Sequence, residues 1–125
     1  MENIAKKHIL IVEDDANIAS LYNEFLSDSY KTTVCEDGAQ ALAFFETSEN
    51  RIDLVITDQS MPAMNGKELS IALLLQKPDL PIIMVTGYNN DISAENASDI
   101  GLKYFHSKPV SLFKLADTID LCLYS

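Results

Sequence analysis

The residues best suited to chemistry are acids, a threonine and a lysine placed just past short apolar runs. Glu13-Asp14-Asp15 follows His8–Val12, Asp58 follows residues 53–57, Thr86 follows residues 81–85, and Lys108 comes shortly after residues 102–106. Brought together, they would supply a carboxylate nucleophile, oxygen ligands for a hard cation, a hydroxyl donor and an ammonium. One or two carboxylates with coordination positions left for water and phosphate describe a Mg²⁺ site. Four like charges at one place are unfavourable unless some are protonated or a cation sits among them. The set suits phosphoryl transfer, where a protein mainly positions groups and neutralises oxygens.

Each residue also has an ordinary structural explanation. The acidic triplet could cap a helix and place acids in its first turn, where the helix dipole favours them. Asp58 opens the loop Asp58-Gln59-Ser60-Met61-Pro62-Ala63-Met64-Asn65-Gly66, in which Pro62 and Asn65-Gly66 punctuate a turn. Thr86-Gly87 could be a plain strand exit, and Lys108-Pro109 a surface lysine before a helix-starting proline. What sets the chemical explanation apart is where these positions fall together.

That depends on the elements carrying them. Five short runs (His8–Val12, Lys31–Cys35 and residues 53–57, 81–85 and 102–106) alternate with amphipathic segments. Ile18, Leu21, Tyr22, Phe25 and Leu26 follow helical spacing, as do Leu69, Ala72 and Leu73, and again Leu112, Leu115, Ala116, Ile119 and Leu123. Alternating strands and helices predict an α/β fold, a parallel sheet covered on both faces. Runs 1, 3 and 4 are continuously apolar, as doubly buried strands must be, whereas runs 2 and 5 are more polar and fit the edges. The predicted order is 2-1-3-4-5, a flavodoxin-like, doubly wound five-stranded sheet with five helices and a switch point between strands 1 and 3. Ligands of such sheets bind beyond the carboxyl ends of the strands, where the acids, threonine and lysine lie. The fourth helical segment, residues 91–100, is the least apolar and is expected to be short or loosely held.

Length and charge bound the rest. The 125 residues suit one domain, 1–125. Nineteen acids against nine Lys and Arg give a formal net charge of −10, which excludes direct nucleic-acid binding and attachment to an anionic membrane. Cys35 and Cys122 match no metal or redox spacing and are expected to be small buried residues. The apolar run before Glu13 is too short for a signal peptide, and nothing approaches a membrane span of about 20 residues. A soluble, cytoplasmic protein is expected.

With these residues in place, the chain resembles the receiver domain of two-component response regulators over essentially its whole length. The acids after strand 1, the Asp58-x-x-Met61-Pro62-x-Met64-Asn65-Gly66 loop, Thr86-Gly87 and Lys108-Pro109 stand in the family's order. The resemblance implies that Asp58 is the phosphoacceptor, taking its phosphoryl group from a histidine kinase or histidine phosphotransfer protein as an acyl phosphate. Such a domain is a signalling phosphoacceptor that assists its own phosphorylation and dephosphorylation, not an enzyme. It further implies that Asp14 binds Mg²⁺ directly, that Glu13 assists, and that Asp58 and the backbone carbonyl of Ser60 also bind the metal. Thr86 and Lys108 would contact the phosphoryl oxygens. Thr86 and Phe105 would form the switch, although Phe105 lacks the hydroxyl of the tyrosine often found there. Ser60 and Tyr88 would tune the lifetime of the acyl phosphate, with the bulk of Tyr88 slowing hydrolysis. Asp15 stands where the family needs no ligand; His8, Tyr104 and His106 are assigned to packing or surface.

Three rivals remain to be weighed. A phosphatase of the haloacid-dehalogenase type needs a general acid two residues after the nucleophile, where this chain has Ser60. A flavodoxin needs a Ser/Thr-rich phosphate loop where this chain has three acids. A pseudo-receiver, a module that no longer takes phosphate, does not need the complete acceptor set found here. The expected output face is the fourth helical segment, fifth strand and last helix, acting on a downstream protein or an attached output domain. The last segment, residues 110–124, has Lys114 but no Arg, so the alternating charges of one dimerising subfamily are missing. A monomer or weak phosphorylation-dependent dimer is expected. Most of the acids, among them Asp91, Glu95, Asp99, Asp117 and Asp120, are assigned to a solvated surface.

Overall fold

A computed structural model describes residues 6–47, 51–87, 102, 104–108 and 110–124. In chain order the elements are β1 (His8–Val12), α1 (Ala16–Leu26), β2 (Lys31–Cys35), α2 (Gly38–Thr47), β3 (Leu54–Thr57), α3 (Gly66–Gln76), β4 (Ile82–Thr86), β5 (Tyr104–Ser107) and α4 (Leu112–Tyr124). All sheet pairings are parallel and the order is β2-β1-β3-β4-β5, as the run compositions predict. The expected fourth helical segment, residues 91–100, lies outside the described residues, so four helices are described.

Side chains alternate across the pleat, and that alternation builds two cores. Leu10, Val12, Val55 and Met84 point to one face, where Ala41 of α2 and Leu69 and Leu73 of α3 cover them. Ile9, Ile11, Leu54, Ile56, Ile83 and Val85 point to the other, under Tyr22 and Leu26 of α1 and Leu115 and Ile119 of α4. Every residue of β1, β3 and β4 is buried, whereas β2 and β5 are largely half-exposed, which places the polar runs at the edges. Leu21 follows the helical spacing of α1 yet is 50% exposed, at the margin of the buried stripe. Cys35 is buried and Cys122 half-buried, and no disulfide joins them. Among the described residues, no helix is long and apolar enough to cross a membrane.

The end of the sheet opposite the acids is closed by polar bonds. The Asp53 carboxylate accepts from the His8 N–H at 2.9 Å and pairs with Arg51 at 3.2 Å. The His8 ring shares a 2.8 Å hydrogen bond with Thr33.

Candidate functional site

Ladder hydrogen bonds continue past the strands and carry three of the singled-out residues. The Glu13 N–H donates to the Cys35 carbonyl at 3.0 Å, tying Glu13 to the end of β2. The Asp58 N–H donates to Val12 at 3.1 Å and so extends β3 along β1. The Lys108 N–H donates to Thr86 at 2.8 Å, at the end of β4. The backbone thus fixes where these side chains emerge, at the carboxyl edge of the sheet.

The acidic triplet divides by function. Asp15 is exposed and caps α1, its Oδ1 accepting from the Asn17 and Ile18 N–H groups. Its carboxylate is engaged in that cap, and the group of acids close enough to share a cation consists of Glu13, Asp14 and Asp58. Glu13 is 3% exposed, and its Oε2 accepts from the Asp15 N–H at 3.1 Å. Glu13, exposed Asp14 and buried Asp58 each offer a carboxylate oxygen, and these oxygens lie within 4.8 Å of one another.

The Lys108 ammonium balances this charge, 3.1 Å from Glu13 Oε1 and 3.3 Å from Asp58 Oδ2. Burial raises the Glu13 carboxyl above its ordinary value and the Asp58 charge adds to this, while the Asp15 N–H and Lys108 act the other way. Burial alone would lower the Lys108 ammonium, but its contacts with Glu13 and Asp58 outweigh that and raise it. Tyr22 on α1 lies within the same field. Burial raises its hydroxyl, Lys108 opposes the shift, and Glu13 and Asp58 add to it.

The β3–α3 loop is stiffened at several points. Asn65 caps α3 in a reciprocal box with Glu68, its side chain accepting from the Glu68 N–H at 2.8 Å while Glu68 Oε1 accepts from the Asn65 N–H at 3.0 Å. The spacing Asn65-x-x-Glu68 carried this signal, although Asn65-Gly66 was expected only to punctuate a turn. Gly66 packs so closely on the Asp58 carbonyl that a Cβ would overlap it. Ala63 has φ 68°, and the Met64 N–H bonds back to the Pro62 carbonyl at 2.8 Å, a γ-turn that strains an L-residue. Gln59 is buried and contacts both Asp58 and α3; nothing in the sequence pattern marked it.

Thr86 is buried at the end of β4, and Phe105 is half-buried on β5. Phe105 stands opposite Met84 in register, and Met84 and Thr86 point to the same side of β4, so Thr86 and Phe105 share a sheet face. Phe105 packs against the core beneath α2 and α3. Ser60 is exposed in the loop after Asp58. Tyr88 lies outside the described residues. His106 bonds at 2.8 Å to Thr118 of α4, and His8 lies at the start of β1, the opposite end of that strand from Glu13. The three carboxylates fit a hard divalent cation, which takes oxygen ligands.

Known proteins are similar to this chain over most of its length. The sequence profile described as the response regulator receiver domain matches residues 9–120. The transcriptional regulatory protein GlrR of Escherichia coli is 31% identical over 114 residues, which are 90% of this chain and 25% of GlrR. Regulatory protein VanRB of Enterococcus faecalis is 34% identical over 116 residues, 92% of this chain and 51% of VanRB. The chain therefore spans a quarter to a half of the length of these relatives. The response regulator TrrA of Thermotoga maritima, in a crystal structure with Mg²⁺-BeF, superposes with a TM-score of 0.82 at 30% identity, covering 94% of this chain and 99% of that one.

Proposed function

This chain belongs to the response regulator receiver domain family, and from that premise we propose that Asp58 accepts a phosphoryl group from a phosphohistidine donor. The donor is a histidine kinase or a histidine phosphotransfer protein. Asp58 Oδ2 attacks phosphorus, the P–N bond to imidazole breaks as the P–O bond forms, and the leaving nitrogen takes up a proton. The product is an acyl phosphate on Asp58. A single observation carries this reading. One ammonium, Lys108, reaches both Glu13 and Asp58 inside a cluster of three carboxylates at the sheet's switch point.

The chain's own groups divide the work. Glu13, Asp14, Asp58 and the Ser60 carbonyl would hold Mg²⁺, which when bound neutralises phosphoryl oxygens. Lys108 keeps one Asp58 oxygen oriented before transfer and is positioned to follow the new charge onto the phosphoryl group. The Thr86 hydroxyl donates to a phosphoryl oxygen, and its rotation frees space that Phe105 takes up on the same sheet face. Through β5 and α4 that change reaches a downstream protein or an attached output domain. Ser60 and Tyr88 set how fast water reaches the acyl phosphate.

The reading is tested by intact mass after incubation with Mg²⁺ and acetyl phosphate, beside an Asp58→Asn control. A single phosphate adduct that is absent from the control is expected. No adduct, or an equal one on the control, overturns it; a folded protein that takes no phosphate would instead be a pseudo-receiver.

A further inference from the structure

Asp58 presents its two oxygens to different partners. Oδ2 faces the Lys108 ammonium, and Oδ1 accepts from the Gln59 N–H at 2.8 Å. The orientation of the nucleophile therefore depends on where the Gln59 backbone is held. Gln59 is 5% exposed, and both of its carbonyl oxygens bond to the start of α3. Its main-chain oxygen accepts from the Gly66 N–H at 3.0 Å, and its side-chain Oε1 accepts from the Lys67 N–H at 2.8 Å. Asn65 takes the next donor, Glu68 N–H. Of the first three N–H groups of α3, which have no partner inside the helix, Gln59 satisfies two.

Resting on the phosphoacceptor reading, we propose that Gln59 is a positioning residue for phosphoryl transfer. Its side-chain amide pins the loop to α3, so that its own N–H stays on Oδ1 and Oδ2 faces the incoming phosphorus. The main-chain bond to Gly66 fixes one point between Gln59 and α3, and the Oε1 bond to Lys67 fixes the second. Without it the carboxylate samples orientations in which the attacking oxygen is misaligned, although every metal ligand is still present.

The test compares wild type, Gln59→Met and Asn65→Ala. Each substitution removes one bond to an α3 N-terminal N–H, but only the first touches the residue that holds Asp58. Urea midpoints and the rate of acetyl phosphate labelling are measured, the rate across a Mg²⁺ series. Both variants are expected to lower the midpoint. Only Gln59→Met is expected to lower the rate at saturating Mg²⁺, by roughly tenfold, as a small misplacement of a reacting group does. An unchanged saturating rate in Gln59→Met, or equal slowing in Asn65→Ala, overturns the proposal. Should Gln59→Met fail to fold, Lys67→Pro removes the same bond from its other end, in the first turn of a helix where proline is tolerated. A wild-type rate in folded Lys67→Pro overturns the proposal equally. Failure of wild type itself to label on Asp58 removes the phosphoacceptor reading and this proposal with it, an outcome distinct from a defect confined to the variants.

Discussion

The Lys108 ammonium lies 3.3 Å from Asp58 Oδ2 and also meets buried Glu13, bridging acids that stand far apart in the sequence. It occupies part of the electrostatic role that a metal cation would also fill. Removing it leaves Glu13 and Asp58 in mutual repulsion, and a divalent cation gains more from entering.

Lys108→Ala is therefore expected to bind Mg²⁺ more tightly than wild type, by roughly tenfold for one unit of charge lost at this range. Its thermal midpoint should also rise more on adding Mg²⁺, because ligand binding to the folded state stabilises it. Labelling by acetyl phosphate should slow in the same variant. Calorimetric titration with Mg²⁺ checks the first point, and weaker binding in Lys108→Ala would refute the competition.

Stability should depend on the two histidines. Burial lowers the His8 and His106 imidazoles from their ordinary value of 6.5, with Lys31 and Lys114 respectively adding to the shift, though Asp53 and a backbone bond oppose it at His8. The fold thus favours the neutral rings. Their contribution is present above 6.5 and is lost as pH falls from there through the lowered folded values. Glu13, whose carboxyl is raised, works in the opposite direction at lower pH. The double variant His8→Gln, His106→Gln keeps hydrogen-bonding groups and cannot titrate. Urea midpoints between pH 7 and 5 should fall less steeply in it than in wild type, and parallel curves would exclude the effect.

Ala63 holds a backbone conformation that glycine adopts freely. Ala63→Gly should relieve about 1–2 kcal/mol of local strain while adding about 0.4–1 kcal/mol of unfolded-state freedom. A neutral to slightly stabilised protein is expected by denaturant unfolding. Marked destabilisation would mean that the turn is not strained.

Much of the architecture was legible because it rests on patterns that a sequence displays. Continuous apolar runs separated β1, β3 and β4 from the polar edges, and strand order followed. The positions of Glu13, Asp14, Asp58 and Lys108 past strand ends were legible for the same reason, whereas Thr86, expected just past residues 81–85, is the last residue of β4 itself. How the acidic triplet divides was not settled by composition alone, since a cap and a ligand are both carboxylates. Only the direction of the chain into α1 assigns Asp15 to Asn17 and Ile18. Gln59 left no signal at all. Its role depends on the Lys67 N–H arriving beside it after the loop has closed, and no residue type or spacing encodes that approach. Leu21 kept the helical period while facing outward, because a stripe wide enough for the core also includes residues on its margin.

Glu13, Asp58 and Lys108 each hang from a ladder bond to a neighbouring strand. The backbone of all three is therefore tied to the sheet, whose inner strands β1, β3 and β4 are buried along their whole length. A message leaving this edge through side chains, loops and helix faces then starts from groups whose main chain the sheet holds in place.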